Sequence, residues 1–193
     1  MMEPMVSPSR PWRLRVLVPA ALAACAAAMT GLQAVPAEPA ASVDLARYLG
    51  RWYVIARAPA GPPALRGAWF EYRKRPDGDI DDVYHAREGS FEREPLTVER
   101  TAHADPARPA MWRVRKGWFS SDEQWVLYVS PDYRYAIAGL PARGEGWILA
   151  REPVIPEWSY AGLLARVAMQ GYDVSQFRRV PQRPEQVGRP GFE

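Results

Sequence analysis

Few side chains in this sequence are equipped for covalent chemistry. His85 and His103 are the only histidines, and so the only groups whose ordinary pKa suits general acid–base work near neutrality. The one cysteine, Cys25, lies near the start, so the body of the chain has no thiol nucleophile and no internal disulfide. No Gly-x-Ser-x-Gly elbow, carboxylate pair at catalytic spacing or His/Cys cluster with metal-ligand spacing occurs. No catalytic residue, metal or cofactor is therefore assigned. A catalyst built on His85 or His103 stands as the alternative to a binding protein, and a filled, purely structural envelope protein stands as a third.

The first strand positions everything else. Val43–Pro59 opens with an amphipathic lead-in (Val43, Leu45, Tyr48, Leu49) and Gly50, then alternates Trp52, Val54 and Ala56 against Tyr53 and Ile55. Both faces are apolar, which suits a closed antiparallel barrel with an element packed outside it. Seven more strands are expected at hairpin spacing: 67–75, 80–86, 96–101, 111–116, 125–130, 133–139 and 146–150. Pro, Asp or Gly marks each boundary, as in Pro76-Asp77-Gly78-Asp79. A two-sheet sandwich could be cut from the same strands. Residues 156–170 read as a helix, with Pro at its start, Gly171 past its end and a stripe of Tyr160, Leu163, Leu164 and Val167. That stripe needs an apolar partner, and Tyr53 and Ile55 supply one.

The ends of the chain read differently. Residues 1–24 carry Arg10, Arg13 and Arg15, a short apolar run and small residues before Cys25, the pattern of an export signal. The run is shorter than the ~20 apolar residues of a transmembrane helix. Residues 25–42, rich in Ala and Pro, read as a flexible tether, and 181–193, dominated by Pro, Arg, Gln and Gly, as a disordered tail. Net charge is only +3, and no basic stripe interleaves with aromatics, so nucleic acid is not an expected partner. Oligomeric state is not legible.

Three motifs resemble the lipocalin family, most closely the branch of bacterial outer-membrane lipocalins and apolipoprotein D. They are Gly50-x-Trp52-Tyr53-x-Ile55-Ala56-Arg57, the acidic-tyrosine turn Ser130-Pro131-Asp132-Tyr133, and Trp147-Ile148-Leu149-Ala150-Arg151. The resemblance covers about residues 43–180 and implies an all-β fold: an eight-stranded up-and-down barrel with a C-terminal helix outside. It also implies that Arg151 lies across the indole of Trp52 at the closed end, and that the loop after Pro59 covers the open mouth. It departs at Leu65-Arg66-Gly67, at Pro156 and in the charged strands from Ser90 to Lys116. Leu22-Ala23-Ala24-Cys25 resembles a bacterial lipobox, which implies a lipidated Cys25 on the outer membrane facing the periplasm; ordinary cleavage and a free or secreted protein is the alternative.

Strand parity, taken from Trp52 and Arg151, then predicts an interior of Val54, Ala56, Phe70, Tyr72, Tyr84, Trp112, Val114, Tyr135, Ile137, Trp147 and Leu149. Such a lining suits a small hydrophobic ligand such as a fatty acid or lysophospholipid, with Asp82 and Lys74 near its polar head. Core packing is the alternative for each residue taken singly.

Overall fold

The computed structural model describes residues 37–116 and 120–193. The expected export signal, Cys25 and the tether as far as residue 36 lie outside the described residues. Eight antiparallel strands follow in order: β1 (Gly50–Ala58), β2 (Leu65–Lys74), β3 (Ile80–Glu88), β4 (Leu96–Asp105), β5 (Arg108–Lys116), β6 (Ser120–Val129), β7 (Tyr135–Gly139) and β8 (Gly146–Ala150). Each pairs with its neighbour in sequence, and β1 pairs with both β8 and β2, which closes the cylinder. Five strand ends extend past the sequence expectation: the starts of β2, β5 and β6 and the ends of β3 and β4. The expected loop 105–109 contracts to a turn because the Asp105 carboxylate accepts the Ala107 amide at 2.9 Å, which lets β4 and β5 run almost to the tip.

A single turn of helix, α1 (Leu45–Tyr48), sits across one end of the cylinder, its first amides bonded to the Asp44 carboxylate. Helix α2 (Glu157–Met169) packs outside, starting one residue after Pro156. Its buried Leu163 and Val167, with Tyr160 and Leu164 beside them, meet Ile55 of β1, Leu127 of β6, Ile137 of β7 and Ile148 of β8. Two apolar cores result: one inside the barrel, one between β1, β6–β8 and α2.

The C-terminal segment departs from the composition-based expectation. β1 and β2 pair only over Gly50–Tyr53 and Trp69–Tyr72, because bulges at Val54/Ala56 and Arg66/Trp69 splay them. Residues after α2 fill that gap. β9 (Arg178–Arg179) pairs with Ala56 and Arg57, the Val180 amide donates to the Ile55 carbonyl at 2.9 Å, and the Gly67 amide donates to Pro181 at 2.8 Å. The Gln182 side-chain amide then bridges the Val54 and Ala68 carbonyls at 2.8 and 3.1 Å. Residues 181–193 are thus seated on the barrel, since backbone groups freed by the two bulges need partners. The last part of the expected tether is seated too: the Glu38 amide meets Gln170 Oε1 at 2.9 Å and the Ala40 amide meets the Val126 carbonyl at 2.8 Å.

Candidate functional site

The two ends of the cylinder differ in what fills them. At the α1 end the Arg151 guanidinium lies 3.8 Å from the Trp52 ring centroid. It donates to the carbonyls of Arg51 (2.7 Å), Arg47 (2.7 Å), Tyr48 (3.0 Å) and Leu49 (3.0 Å). Gly50, at φ +94°, lets the chain turn beneath it. The Trp52 indole N–H donates to the Tyr48 carbonyl at 2.7 Å. Asp132 and Tyr133 hold the adjoining turn: Ser130 Oγ donates to the Asp132 carboxylate at 2.6 Å, and the Asp44 amide donates to the Tyr133 hydroxyl at 2.8 Å. The Ser130 hydroxyl and the Arg134 amide hold the Asp132 carboxyl below the usual carboxylate range. This end is sealed by a cation that lies on an indole and binds four backbone carbonyls.

Above that seal the barrel is full. Tyr48, Trp52, Tyr72, Trp112 and Phe70 are almost wholly buried. They stack edge-on and face-on at 4.9 to 5.8 Å between centroids. Burial pushes the Tyr48 and Tyr72 hydroxyls far above their ordinary pKa, so both stay protonated. The open space begins beyond Phe70. A recess of about 290 Å³ at the opposite end is lined by Leu65, Phe70, Tyr84, Leu96 and Trp147 with Arg57, Arg100, Glu88 and Glu145.

Of the residues expected inside, Val54, Phe70, Tyr72, Trp112, Val114, Trp147 and Leu149 belong to the interior core, with Tyr84 half-buried against it. Only Phe70, Tyr84 and Trp147 of these reach the recess. Ala56, Tyr135 and Ile137 do not face inward; they belong to the outer core under α2. Ala56 is turned out by the bulge at Ile55, after which β1 presents Arg57 to the recess instead. In β7, Ala136 pairs with inward Leu149 and Ala138 with inward Trp147, so the larger Tyr135 and Ile137 point outward. Asp82 does point inward, but it is fully buried and paired at 2.9 Å with Arg100. Burial raises its pKa against the opposing pull of that guanidinium. Lys74 is exposed at the far end of β2.

The sequence reading therefore missed the two cations that define the polar side of the recess. Arg100 was recoverable: it shares the parity of Ala102 on β4. Arg57 was not, because its orientation depends on the bulge. Both already have internal counter-ions, Asp82 for Arg100 and Glu193 for Arg57, whose carboxylate receives Arg57 Nε at 2.5 Å and the Leu65 amide at 2.7 Å. Glu88 and Glu145 add two further carboxylates to the lining. Neither histidine lines the recess. His85 stacks on Trp69 at 4.5 Å on the outer face, where burial lowers its pKa, and His103 pairs with Asp79 at 2.8 Å. Among the described residues no cluster of His, Cys, Asp or Glu could hold a metal ion.

Comparison with known proteins matches this geometry. A family model described as a lipocalin-like domain matches residues 43–182. The chain is 30% identical over 175 residues to the outer membrane lipoprotein Blc of Escherichia coli K12, covering 86% of this chain and 97% of that protein. It is 30% identical over 154 residues to temperature-induced lipocalin-1 of Arabidopsis thaliana, covering 72% and 80%. Among solved structures, insecticyanin from the tobacco hornworm Manduca sexta superposes with a TM-score of 0.60 at 16% identity over 78% of this chain and 87% of that one. That last likeness speaks for the fold alone.

Proposed function

Because the chain belongs to the lipocalin family, whose members generally bind or carry small hydrophobic molecules, we propose that it is a binding protein for a single-chain amphiphile in the bacterial cell envelope. The ligand inserts the end of its tail into the recess between Phe70, Tyr84, Trp147, Leu65 and Leu96 and leaves its headgroup at the rim. The observation that carries this reading is the division of the barrel into a packed, sealed half and an open aromatic half. At about 290 Å³ the recess sits at the small end of ligand pockets, roughly 300–1,000 Å³. It takes part of an acyl chain and not a bulky polycycle.

Charge at the rim selects between the headgroups considered. Arg57 and Arg100 are already neutralised by Glu193 and Asp82, while Glu88 and Glu145 add negative charge. A free carboxylate there would face net repulsion, so a zwitterionic lysophospholipid suits the rim better than a fatty acid. The likeness to the outer membrane lipoprotein Blc supports a further part of the reading, that Cys25 becomes the lipidated first residue of the mature chain and holds the barrel at the outer membrane; that the barrel faces the periplasm is part of the same proposal.

Titration of lipid-stripped protein with lysophosphatidylethanolamine tests the ligand. Tryptophan emission is expected to change to a stoichiometric end point, and Trp147→Phe to lose most of the response. A flat titration, or tighter binding of the corresponding fatty acid, would sink the headgroup assignment.

A further inference from the structure

Helix α2 is apolar on two sides, and only one of them is used. Its inner side meets the barrel. Its outer side carries Trp158, Ala161, Gly162, Ala165 and Met169, spaced i, i+3, i+4, i+7 and i+11, so they form one stripe along the helix. Trp158 is 76% exposed and Met169 74%, the two most exposed large apolar side chains among the described residues. No charge interrupts the stripe. Glu157 is drawn aside by Arg179 at 2.7 Å, and Arg166 lies over the Tyr128 ring at 4.3 Å.

We infer that this stripe rests on the lipid surface, with Trp158 and Met169 in the headgroup–acyl boundary; the inference rests on the reading of Cys25 as the acylated anchor. The path of the chain names the occupant. The Glu38 amide is bonded to Gln170, the residue after Met169, and Ala37 packs in the outer core with Leu163 and Val167. The polypeptide therefore meets the barrel at the C-terminal end of α2. From Ala37 back to Cys25 a fully extended chain spans at most about 40 Å, so a bilayer that holds Cys25 lies within that reach of the C-terminal end of α2, the point where the chain joins the barrel. An indole is suited to that boundary, having an apolar body and one N–H donor, and a stripe of this kind lies in the interface without crossing it. No described helix is long and apolar enough to cross a membrane.

A second copy of the chain is a poorer occupant. A helix of this length covers about 20 Å, and its small residues leave only Trp158 and Met169 to bury area. A tryptophan buries roughly 150–250 Å², well short of the ~1,200–2,000 Å² of a stable interface.

The test uses the full chain as exported, reconstituted into vesicles of phosphatidylethanolamine and phosphatidylglycerol that carry a brominated phosphatidylcholine. Bromine is expected to quench a component of the tryptophan emission in the wild type, and that component is lost in Trp158→Phe. Met169→Glu, which places a charge in the stripe, is expected to weaken the quenching with Trp158 still in place. Equal quenching in wild type and Trp158→Phe, or none in either, overturns the inference. So does a concentration-dependent dimer, in vesicle-free detergent, that Trp158→Phe abolishes. Metabolic labelling with an alkyne fatty acid reports on Cys25 separately. Label without quenching leaves the anchor standing and removes the lipid contact; quenching without label keeps the contact and removes the anchor.

Discussion

Replacing Arg151 by methionine is the perturbation that reaches furthest into this architecture. The guanidinium makes four hydrogen bonds of 2.7 to 3.0 Å to the carbonyls of Arg47, Tyr48, Leu49 and Arg51, and lies 3.8 Å from the Trp52 ring. The site is partly exposed, so water recovers part of each lost bond, and about 0.5–1 kcal/mol per carbonyl is the applicable loss. The cation–ring contact adds ~0.5–2 kcal/mol. Methionine restores some packing over the indole, and a net destabilisation of about 3 kcal/mol is expected. For a domain of this size that lowers Tm by roughly 6–12 °C. Arg151→Lys keeps the charge, but with three donors and no planar face it should lose about half as much. Urea titration followed by tryptophan emission measures both variants. A cycle with Trp52→Phe should give a coupling of about 1 kcal/mol. A loss below about 0.5 kcal/mol in Arg151→Met, the size of an ordinary surface substitution, would refute the idea that this side chain seals the barrel.

Two further outcomes probe the other half of the molecule. Burial raises the Asp82 pKa in the folded chain above its unfolded value. The native state therefore takes up a proton first as pH falls, and this group's contribution to stability rises between its folded pKa and the ordinary ~3.9. The stability of wild type relative to Asp82→Asn should accordingly increase from pH 7 towards pH 4 in urea titrations; a difference that is flat or falls on acidification would show that the Arg100 guanidinium outweighs burial at this carboxylate and refute the raised pKa. Gln182→Ala leaves the Val54 and Ala68 carbonyls without their bridge and should cost about 1–3 kcal/mol. Hydrogen exchange at the Gly67 and Val180 amides should then quicken together. An unprotected Val180 in the wild type would show that residues 178–182 do not close the gap beside β1.

The sequence by itself determined whatever is local in physical origin. Alternation with period two and turn residues at strand ends depend on the pleat and on backbone preference, so the β8 boundaries at Gly146 and Ala150 and the inner stripe of α2 were legible. The Trp52–Arg151 pair was legible because its family motifs flank it at fixed spacing. Only the tertiary structure decided which way Ala56, Arg57, Tyr135 and Ile137 face. Under α2 the outer wall of the barrel is as apolar as the inner one, so hydrophobicity cannot tell the two sides apart. A one-residue bulge at Ile55 then reverses parity for the rest of β1. The C-terminal segment shows the same limit: its composition suits disorder, yet it is ordered because two bulges open a gap of unsatisfied carbonyls and amides that Val180, Pro181 and Gln182 fill. Backbone demand created far away in sequence leaves no mark on the residues that answer it.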